Sequence, residues 1–385
     1  MFKKLILCAS LSFAATAQAD IVIGQSVPTS GIAADTGKSL ALGASIYFNK
    51  INSAGGVNGE KINHIVRDDG YDPKRSIQNT KDLIDKENAL VLVSYYGSAT
   101  TGELLKSKTL ENAGIPLIGV HSGAESIRTP GSLFLFHTRA SYAQETDRLV
   151  QLLAGNLGVN KIAVVAQQDA FGEAGVAGLK ASLLKHKLQL AGEAWYDRSK
   201  GDTTAAAKTL SKLNPEAVIL VAVSKPAATF TKQFKEFGGT SQLYALSPVM
   251  FEEVARAVGK KMGHGLGISQ VYPYPNNTRS RLIKEFQDDV YAELGDQASG
   301  AKDPLATLAN YSSYAVLEGY VAAKIAVEAI QRAGKAPTRT SVYNALTKMN
   351  KFDMGGFSVD FNDKKRNGSN YGEITMMSPS GALTR

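Results

Sequence analysis

Residues 91–105 read VLVSYYGSATTGELL. The apolar run from Ala89 to Val93 reads as a buried strand. Small hydroxyl residues follow, Ser94, Ser98, Thr100 and Thr101, and a helical pattern begins among them. In open parallel sheets, ligands sit beyond the carboxyl ends of strands, where loops turn into helix N-termini. Free N–H groups and the helix dipole favour an anion there, and short hydroxyl side chains complete the site without blocking it. An ordinary N-cap needs only one Ser or Thr. The stretch alone leaves capping and anion binding both open.

The same alternation extends in both directions. Upstream lie a strand at Ile21 to Gln25 and a helical pattern from Gly37 to Ile51, with Leu40, Ala44, Tyr47, Phe48 and Ile51 at helical spacing. KINHIVRDDG reads as a second strand, and Asp72-Pro73 supplies an N-cap and first-turn proline for a helix through Lys86. Downstream come a helix from Thr100 to Asn112 and the strands IPLIGV and LFLFHT. The pattern then restarts: helix Tyr142 to Leu157, strand KIAVVAQ, helix Phe171 to Leu184, strand EAWYD, helix Thr203 to Leu213, strand AVILVAV, a helix to Phe237 and strand LYAL. Such alternation predicts α/β architecture with mostly parallel sheets. The short junction near His137 to Ala140 predicts two lobes sharing a cleft. Leu305 to Gly334 is apolar nearly all round, which predicts a helix buried on the first lobe's sheet.

The first residues, MFKKLILCASLSFAATAQAD, read as a secretory signal: Lys3 and Lys4, an apolar Leu5 to Ala15, and Ala17-Gln18-Ala19 as a cleavage site. Cleavage after Ala19 removes Cys8, the one cysteine, so the exported chain is expected in the periplasm without disulfides. No later segment approaches the roughly 20 apolar residues of a spanning helix, and no membrane insertion is expected. The formal net charge of +8 falls by two with the signal, and the basic residues are scattered. Nucleic-acid binding therefore has no support beyond the basic balance. About 366 residues also exceed what one core usually organises.

Enzymatic motifs fail on spacing. GIAADTGKS follows a strand but sets five residues between its glycines, where a P-loop has four. The five histidines, His64, His121, His137, His186 and His264, lack metal-ligand spacing. No G-x-S-x-G elbow occurs. Nothing asks for catalysis, a metal or a cofactor.

With these features in hand, the chain resembles the type I periplasmic solute-binding proteins, specifically the leucine/isoleucine/valine-binding subunits of ABC importers. The resemblance runs over residues 20–385 and rests on IGQSVPTSG, GASIYFNKINSAGGVNGEKI, VRDDGYDP, GIPLIGVHSGAESIR, QDAFGEAG, LEGYVAAKIAVEAI and DMGGFSVDFND in that order. It implies two Rossmann-like lobes joined by three crossover strands, near Phe136 to Ala140, Gln270 to Pro273 and Phe352 to Gly355. The N-terminal lobe would be residues 20–139 and 272–351, and the C-terminal lobe 140–271 and 352–385, after a signal of 1–19. It implies that a small-molecule carboxylate is captured by lobe closure and delivered by a monomer to an inner-membrane permease. The ligand carboxylate would lie against Ser98, Ala99 and Thr100 and against His121, Ser122 and Gly123, with Phe171 contacting it from the opposite lobe. Tyr272 or Tyr274 would line the side-chain pocket.

Departures from the family pattern matter. The position that gives a ligand ammonium its acidic partner falls at Ser247-Pro248, where no carboxylate stands. An ammonium buried without an anion costs several kcal/mol, which favours an aromatic or other organic acid. Gln167, Asp169 or Glu173 would have to replace the acid if the ligand is an amino acid. His121 stands where a small residue is expected, as an added anion donor or as a hydrogen-bonded rim histidine. Tyr71 replaces a cysteine found in some members. Two other roles remain beside import: a sensor presenting its closed form to a receptor, and a periplasmic serine hydrolase.

Overall fold

The computed structural model describes residues 20–299, 311–380 and 382–384. The expected signal and residues 305–310 of the helix read from Leu305 lie outside these residues; within them that helix is shorter than expected, starting at Tyr314 because Ser313 caps it by accepting from Val316 N–H. The first sheet has five parallel strands: β1 (Ile21–Val27), β2 (Ile62–Asp68), β3 (Val91–Tyr96), β4 (Leu117–His121) and β5 (Leu135–Phe136). Their spatial order is 2-1-3-4-5. Helices α1 (Ala34–Ser53), α2 (Pro73–Asp85), α3 (Ser98–Lys106) and α4 (Thr109–Ala113) connect them. The second sheet repeats this winding. Strands β6 (Ile162–Gln167), β7 (Gly192–Tyr196), β8 (Ala217–Val221), β9 (Gln242–Ala245) and β10 (Gly267–Gln270) alternate with α5 (Tyr142–Val150), α6 (Ala170–Lys185), α7 (Thr204–Leu213), α8 (Ser224–Glu236) and α9 (Phe251–Gly263).

From β10 the chain returns to the first sheet through α10 (Arg281–Ser299), α11 (Tyr314–Ala333) and α12 (Arg339–Leu346). It then forms the small hairpin β11 (Phe352–Asp353) and β12 (Ser358–Val359). It ends on the second sheet with β13 (Glu373–Met377) and β14 (Leu383–Thr384). Strand β13 runs antiparallel to β10. The expected α/β class with two mostly parallel sheets is thus borne out.

Both sheets are covered on both faces, which is why their strands read as continuous apolar runs. On the first, α1, α10, α11 and α12 pack with Val91, Val93 and Ile118. On the second, α7, α8 and α9 pack with Val165, Val218 and Ile268. A third cluster runs from one sheet to the other through Tyr71, Tyr96, Tyr142 and Phe171.

Local chemistry sets several boundaries. Asp72 caps α2 by accepting from Arg75 N–H at 2.8 Å, with Pro73 behind it, as the sequence predicts. The helix expected from Thr100 to Asn112 is two helices instead. Lys108 enters the left-handed region at φ 56°, and Ser107 Oγ hydrogen-bonds the Leu104 carbonyl at 2.6 Å, closing α3. Strand β3 also carries a kink. Ser94 has φ 51° and lies beside Gly119 with φ 72° on β4. Alternation breaks there, so Tyr95 and Tyr96 both join the cluster holding Leu92.

Helices α1 and α11 cross at glycines. A Cβ on Gly319 would sit 2.0 Å from the Leu40 carbonyl oxygen, and one on Gly43 would sit 1.8 Å from that of Val316. Gly319→Ala must push the helices apart, and overpacking of this kind costs about 1–3 kcal/mol. That outweighs the ~1 kcal/mol that alanine adds to a helix interior. Gly102 in α3 has open space around its Cβ position, so Gly102→Ala is expected to stabilise. Opposite signs in urea unfolding check the pair.

Candidate functional site

The carboxyl ends of β3 and β4 deliver the first half of the site. Gly97 occupies the N-cap of α3 with φ 94° and gives no side-chain cap. A Cβ there would lie 2.5 Å from the Tyr71 ring, so glycine is required on both counts. The first intrahelical bond is Thr101 N–H to the Gly97 carbonyl, 3.1 Å. The N–H groups of Ser98, Ala99 and Thr100 lie ahead of it, in the turn that lacks intrahelical acceptors. Ser98 Oγ and Ser122 Oγ are 2.8 Å apart and both buried. Gly123 lies beneath Tyr142, whose ring would touch a Cβ at 2.7 Å. Two hydroxyls and a helix N-terminus therefore converge where the sequence placed them.

Thr100 differs from its expected role. Its Oγ1 donates to the carbonyls of Tyr96 and Gly97, so its hydroxyl holds the turn and leaves only its backbone N–H for a ligand. Ala99 is half-buried beside it.

The second lobe meets this corner directly. Helix α6 packs against α3. Asp169 caps α6 through Phe171 N–H at 2.9 Å, and the buried Phe171 ring lies 5.1 Å from Tyr142. Tyr71 bridges the lobes: its hydroxyl accepts from Gln167 Nε2 at 3.1 Å, and the Arg198 guanidinium lies 3.9 Å over its ring. Arg198 also donates to the Tyr71 carbonyl. The two sheets are therefore joined by direct contacts at this corner.

A buried charge network flanks the corner. Arg139 is fully buried; its Nη1 lies 3.4 Å from both Glu318 oxygens, and its Nη2 donates to Ser247 Oγ. Ser247 donates from its N–H and Oγ–H to Glu145, at 2.9 and 2.7 Å. His121 Nδ1 sits 2.7 Å from Glu318 Oε2, and its ring stacks on Tyr96 at 5.2 Å. Burial opposes the charge on Glu318, yet Arg139 and His121 hold its carboxyl below the usual range. Burial pushes Glu145 up against the pull of Arg139 and lowers His121 against that of Glu318. Tyr96 OH, His121 Nε2 and Arg139 Nε are buried with no partner.

A narrow cavity opens beside His121 and Arg139, lined also by Ser247, Glu252, Tyr272 and Glu318. Tyr272 also hydrogen-bonds Thr138 at 2.8 Å within the first core.

The periplasmic binding protein family model matches residues 20–381. The chain belongs to that family. This binding protein is 27% identical over 266 residues to an "Amino acid binding protein" of Pseudomonas aeruginosa, covering 67% of this chain and 70% of that one. It is 26% identical to the "Leu/Ile/Val-binding protein homolog 7" of Brucella suis, over 96% of this chain and 92% of the other. A substrate-binding periplasmic protein from Ralstonia solanacearum superposes with a TM-score of 0.87 at 34% identity, covering 94% and 99% of the two chains. The family consists of substrate-binding proteins of the branched-chain amino acid ABC transporter type, not enzymes.

Of the three side chains named as substitutes for the missing acid, none offers the ligand corner a spare carboxylate. Gln167 is an amide held between Tyr71 and Asp169, Asp169 caps α6, and Glu173 is exposed. Sequence reasoning missed Tyr71, Tyr96, Arg139, Tyr142, Glu145 and Glu318. Two left a signal: Glu318 is the acid inside the all-apolar face of YAVLEGYVAA, and Arg139 interrupts the lobe junction FHTRA. A charge in a segment otherwise suited to full burial implies a partner. Among the described residues, no cluster of metal-ligating side chains occurs and no helix is long and apolar enough to cross a membrane.

Proposed function

We propose that this binding protein is the ligand-capturing component of an ABC importer and takes a small carboxylate. The observation that carries the reading is the uncapped first turn of α3, with the Ser98 and Ser122 hydroxyls beside it and Phe171 approaching from α6. Three backbone donors and two hydroxyls suit an anion. The chain is exported, its signal is removed after Ala19, and it works as a monomer in the periplasm. Ligand docks on the first lobe, residues 20–139 and 272–351. The second, 140–271 and 352–385, swings down about the three crossing segments. The closed surface engages an inner-membrane permease.

Moving a two-state equilibrium from mostly open to mostly closed needs about 5 kcal/mol of differential affinity. A few charge-assisted hydrogen bonds at ~1.5–3 kcal/mol each supply it. Ser98 Oγ is paired with another hydroxyl rather than an imidazole, which speaks against a serine hydrolase.

A thermal-shift screen of amino acids, aromatic acids, aliphatic acids and sugars tests the proposal. At 100 times its dissociation constant a ligand adds about 2.7 kcal/mol. At least one carboxylate is expected to do so. A response confined to uncharged sugars overturns the reading.

A further inference from the structure

We propose that the loop between β7 and α7 is a latch that holds the two lobes together before any ligand arrives, with Arg198 as the residue that engages. The proposal goes beyond the carboxylate reading, since every contact it uses joins protein to protein.

The loop reads DRSKGD, residues 197–202, and its own hydrogen bonds shape it. Asp197 Oδ1 accepts from the N–H groups of Ser199 and Lys200 at 2.8 and 3.0 Å, and the Gly201 N–H donates to the Asp197 carbonyl at 2.9 Å. A turn of this kind sets the direction of its side chains without help from the other lobe. Arg198 and Gly201 then meet the first lobe. Gly201, at φ 63°, lies against Ile32 of the β1–α1 loop, and a Cβ there would sit 2.8 Å from Ile32 Cδ1. Arg198 donates to the Tyr71 carbonyl and lays its guanidinium 3.9 Å over the Tyr71 ring. Its Nε lies 3.4 Å from Asp169 Oδ2, which orients the plane. A flat cation can stack on a ring and donate from its edge at once, which an ammonium cannot.

Tyr71 is shaped to receive it. Its φ of 65° is unusual for a bulky residue. The buried Asp69 keeps that conformation, its Oδ1 accepting the Tyr71 N–H at 2.9 Å. A backbone held this way where two bodies meet points to a role in the contact. The Tyr71 hydroxyl accepts from Gln167 Nε2, and its ring lies against Gly97 at the mouth of α3. Tyr196 donates its hydroxyl to Gln167 Oε1 at 3.0 Å, so that amide is fixed as well. The second lobe thus grips the residue bordering the anion corner through contacts that leave the hydroxyls of Ser98 and Ser122 unused.

The Arg198 side chain keeps 22% of its surface exposed. Water replaces its bonds when the lobes part, so the latch biases the equilibrium and does not lock it. A ligand then closes a protein that is already part-closed, and its apparent dissociation constant scales inversely with that fraction.

Double electron–electron resonance on the ligand-free protein tests this. Cys8 is the one cysteine, so in a Cys8→Ser background spin labels go only to Lys81→Cys on α2 and Lys208→Cys on α7, both exposed positions. Unfolding in guanidinium chloride and refolding strips any molecule carried through purification. The wild-type latch is expected to give the interlabel distance set by this structure beside a longer one. Arg198→Ala is expected to lower the ratio of short to long at least tenfold, equivalent to 1.4 kcal/mol. Absence of the short distance from the wild-type latch overturns the proposal, as does an unchanged ratio in Arg198→Ala. Should that variant not fold, Ile32→Ala, which trims the loop's other contact, carries the same expectation of a lowered ratio. No ligand enters the measurement, so a failure here leaves the carboxylate reading standing, and a silent ligand screen leaves the latch standing.

Discussion

Arg139→Met is expected to lower the stability of the free protein by about 3–5 kcal/mol, the range for removing one partner of a buried ion pair. The guanidinium lies between Glu318 at 3.4 Å and Glu145 at 3.8 Å, and the three side chains are all but inaccessible to water. Methionine fills much of the same volume, so packing loss is secondary. The two carboxylates would be left facing each other, with His121 and Ser247 as their remaining partners.

Lys284 and Asp288 form an ion pair at 2.8 Å on the exposed face of α10. Lys284→Ala should change stability by ~0–1 kcal/mol, the usual worth of an exposed pair. Urea unfolding of both variants reads the contrast. A loss for Arg139→Met no larger than for Lys284→Ala would mean that the network is hydrated.

The pH dependence carries a sign of its own. In the wild-type protein the Glu318 carboxyl lies below its usual range: burial raises it, but Arg139 and His121 lower it more. Its contribution is therefore present above the unfolded value of about 4.3 and fades as pH falls through the lower folded value. Without Arg139, burial dominates and the carboxyl rises above that unfolded value. The variant then loses stability as pH climbs past ~4.3. The gap between variant and wild type should be smallest near pH 4 and widest at neutrality.

The second large effect is on binding. Ser98→Ala combined with Ser122→Ala is expected to weaken carboxylate binding at least 100-fold. Each charge-assisted hydrogen bond is worth ~1.5–3 kcal/mol, so two represent at least ~3 kcal/mol, and 1.4 kcal/mol is tenfold. Stability should fall by no more than about 1–3 kcal/mol, the cost of leaving one buried hydroxyl unpaired. The hydroxyls pair with each other at 2.8 Å, so removing both leaves neither without its partner. The 3.2 Å contact from Ala124 N–H to Ser122 Oγ and the hydrogen bond between Ser98 and the buried Tyr142 hydroxyl are lost as well.

Thr100→Ala serves as the control. Its hydroxyl bonds the Tyr96 and Gly97 carbonyls, so the variant should loosen the turn and affect affinity less than the serine pair. Titration with whichever carboxylate the screen yields measures all three. Unchanged affinity in the double serine variant would move the ligand away from α3.

Much of this molecule was readable along the chain. Alternating apolar runs and helical periods marked the two α/β units, because strands covered on both faces must be apolar throughout and amphipathic helices must repeat every 3.6 residues. The caps were readable for the same local reason: Asp72 with Pro73 can satisfy a helix start wherever the chain goes next. The convergence of SATT and HSG was implied by the family resemblance, and the structure gives its reason: both follow neighbouring parallel strands. Helices α9, α10 and α12 went unread.

What the sequence determined by itself was the α/β winding and the hydroxyl-rich mouth of α3 at Ser98, which follow from short-range periodicity and turn chemistry; the family and the place of Ser122 beside Ser98 came from the ordered motifs that carry the resemblance. Only the tertiary structure decided what surrounds that corner. Arg139 reaches Ser247 and Glu318 across separations of 108 and 179 residues, and Tyr71 meets Arg198 across 127. No local rule fixes such pairs. A charge acquires its partner, and a tyrosine its burial, from whichever loops the two sheets bring to a common face.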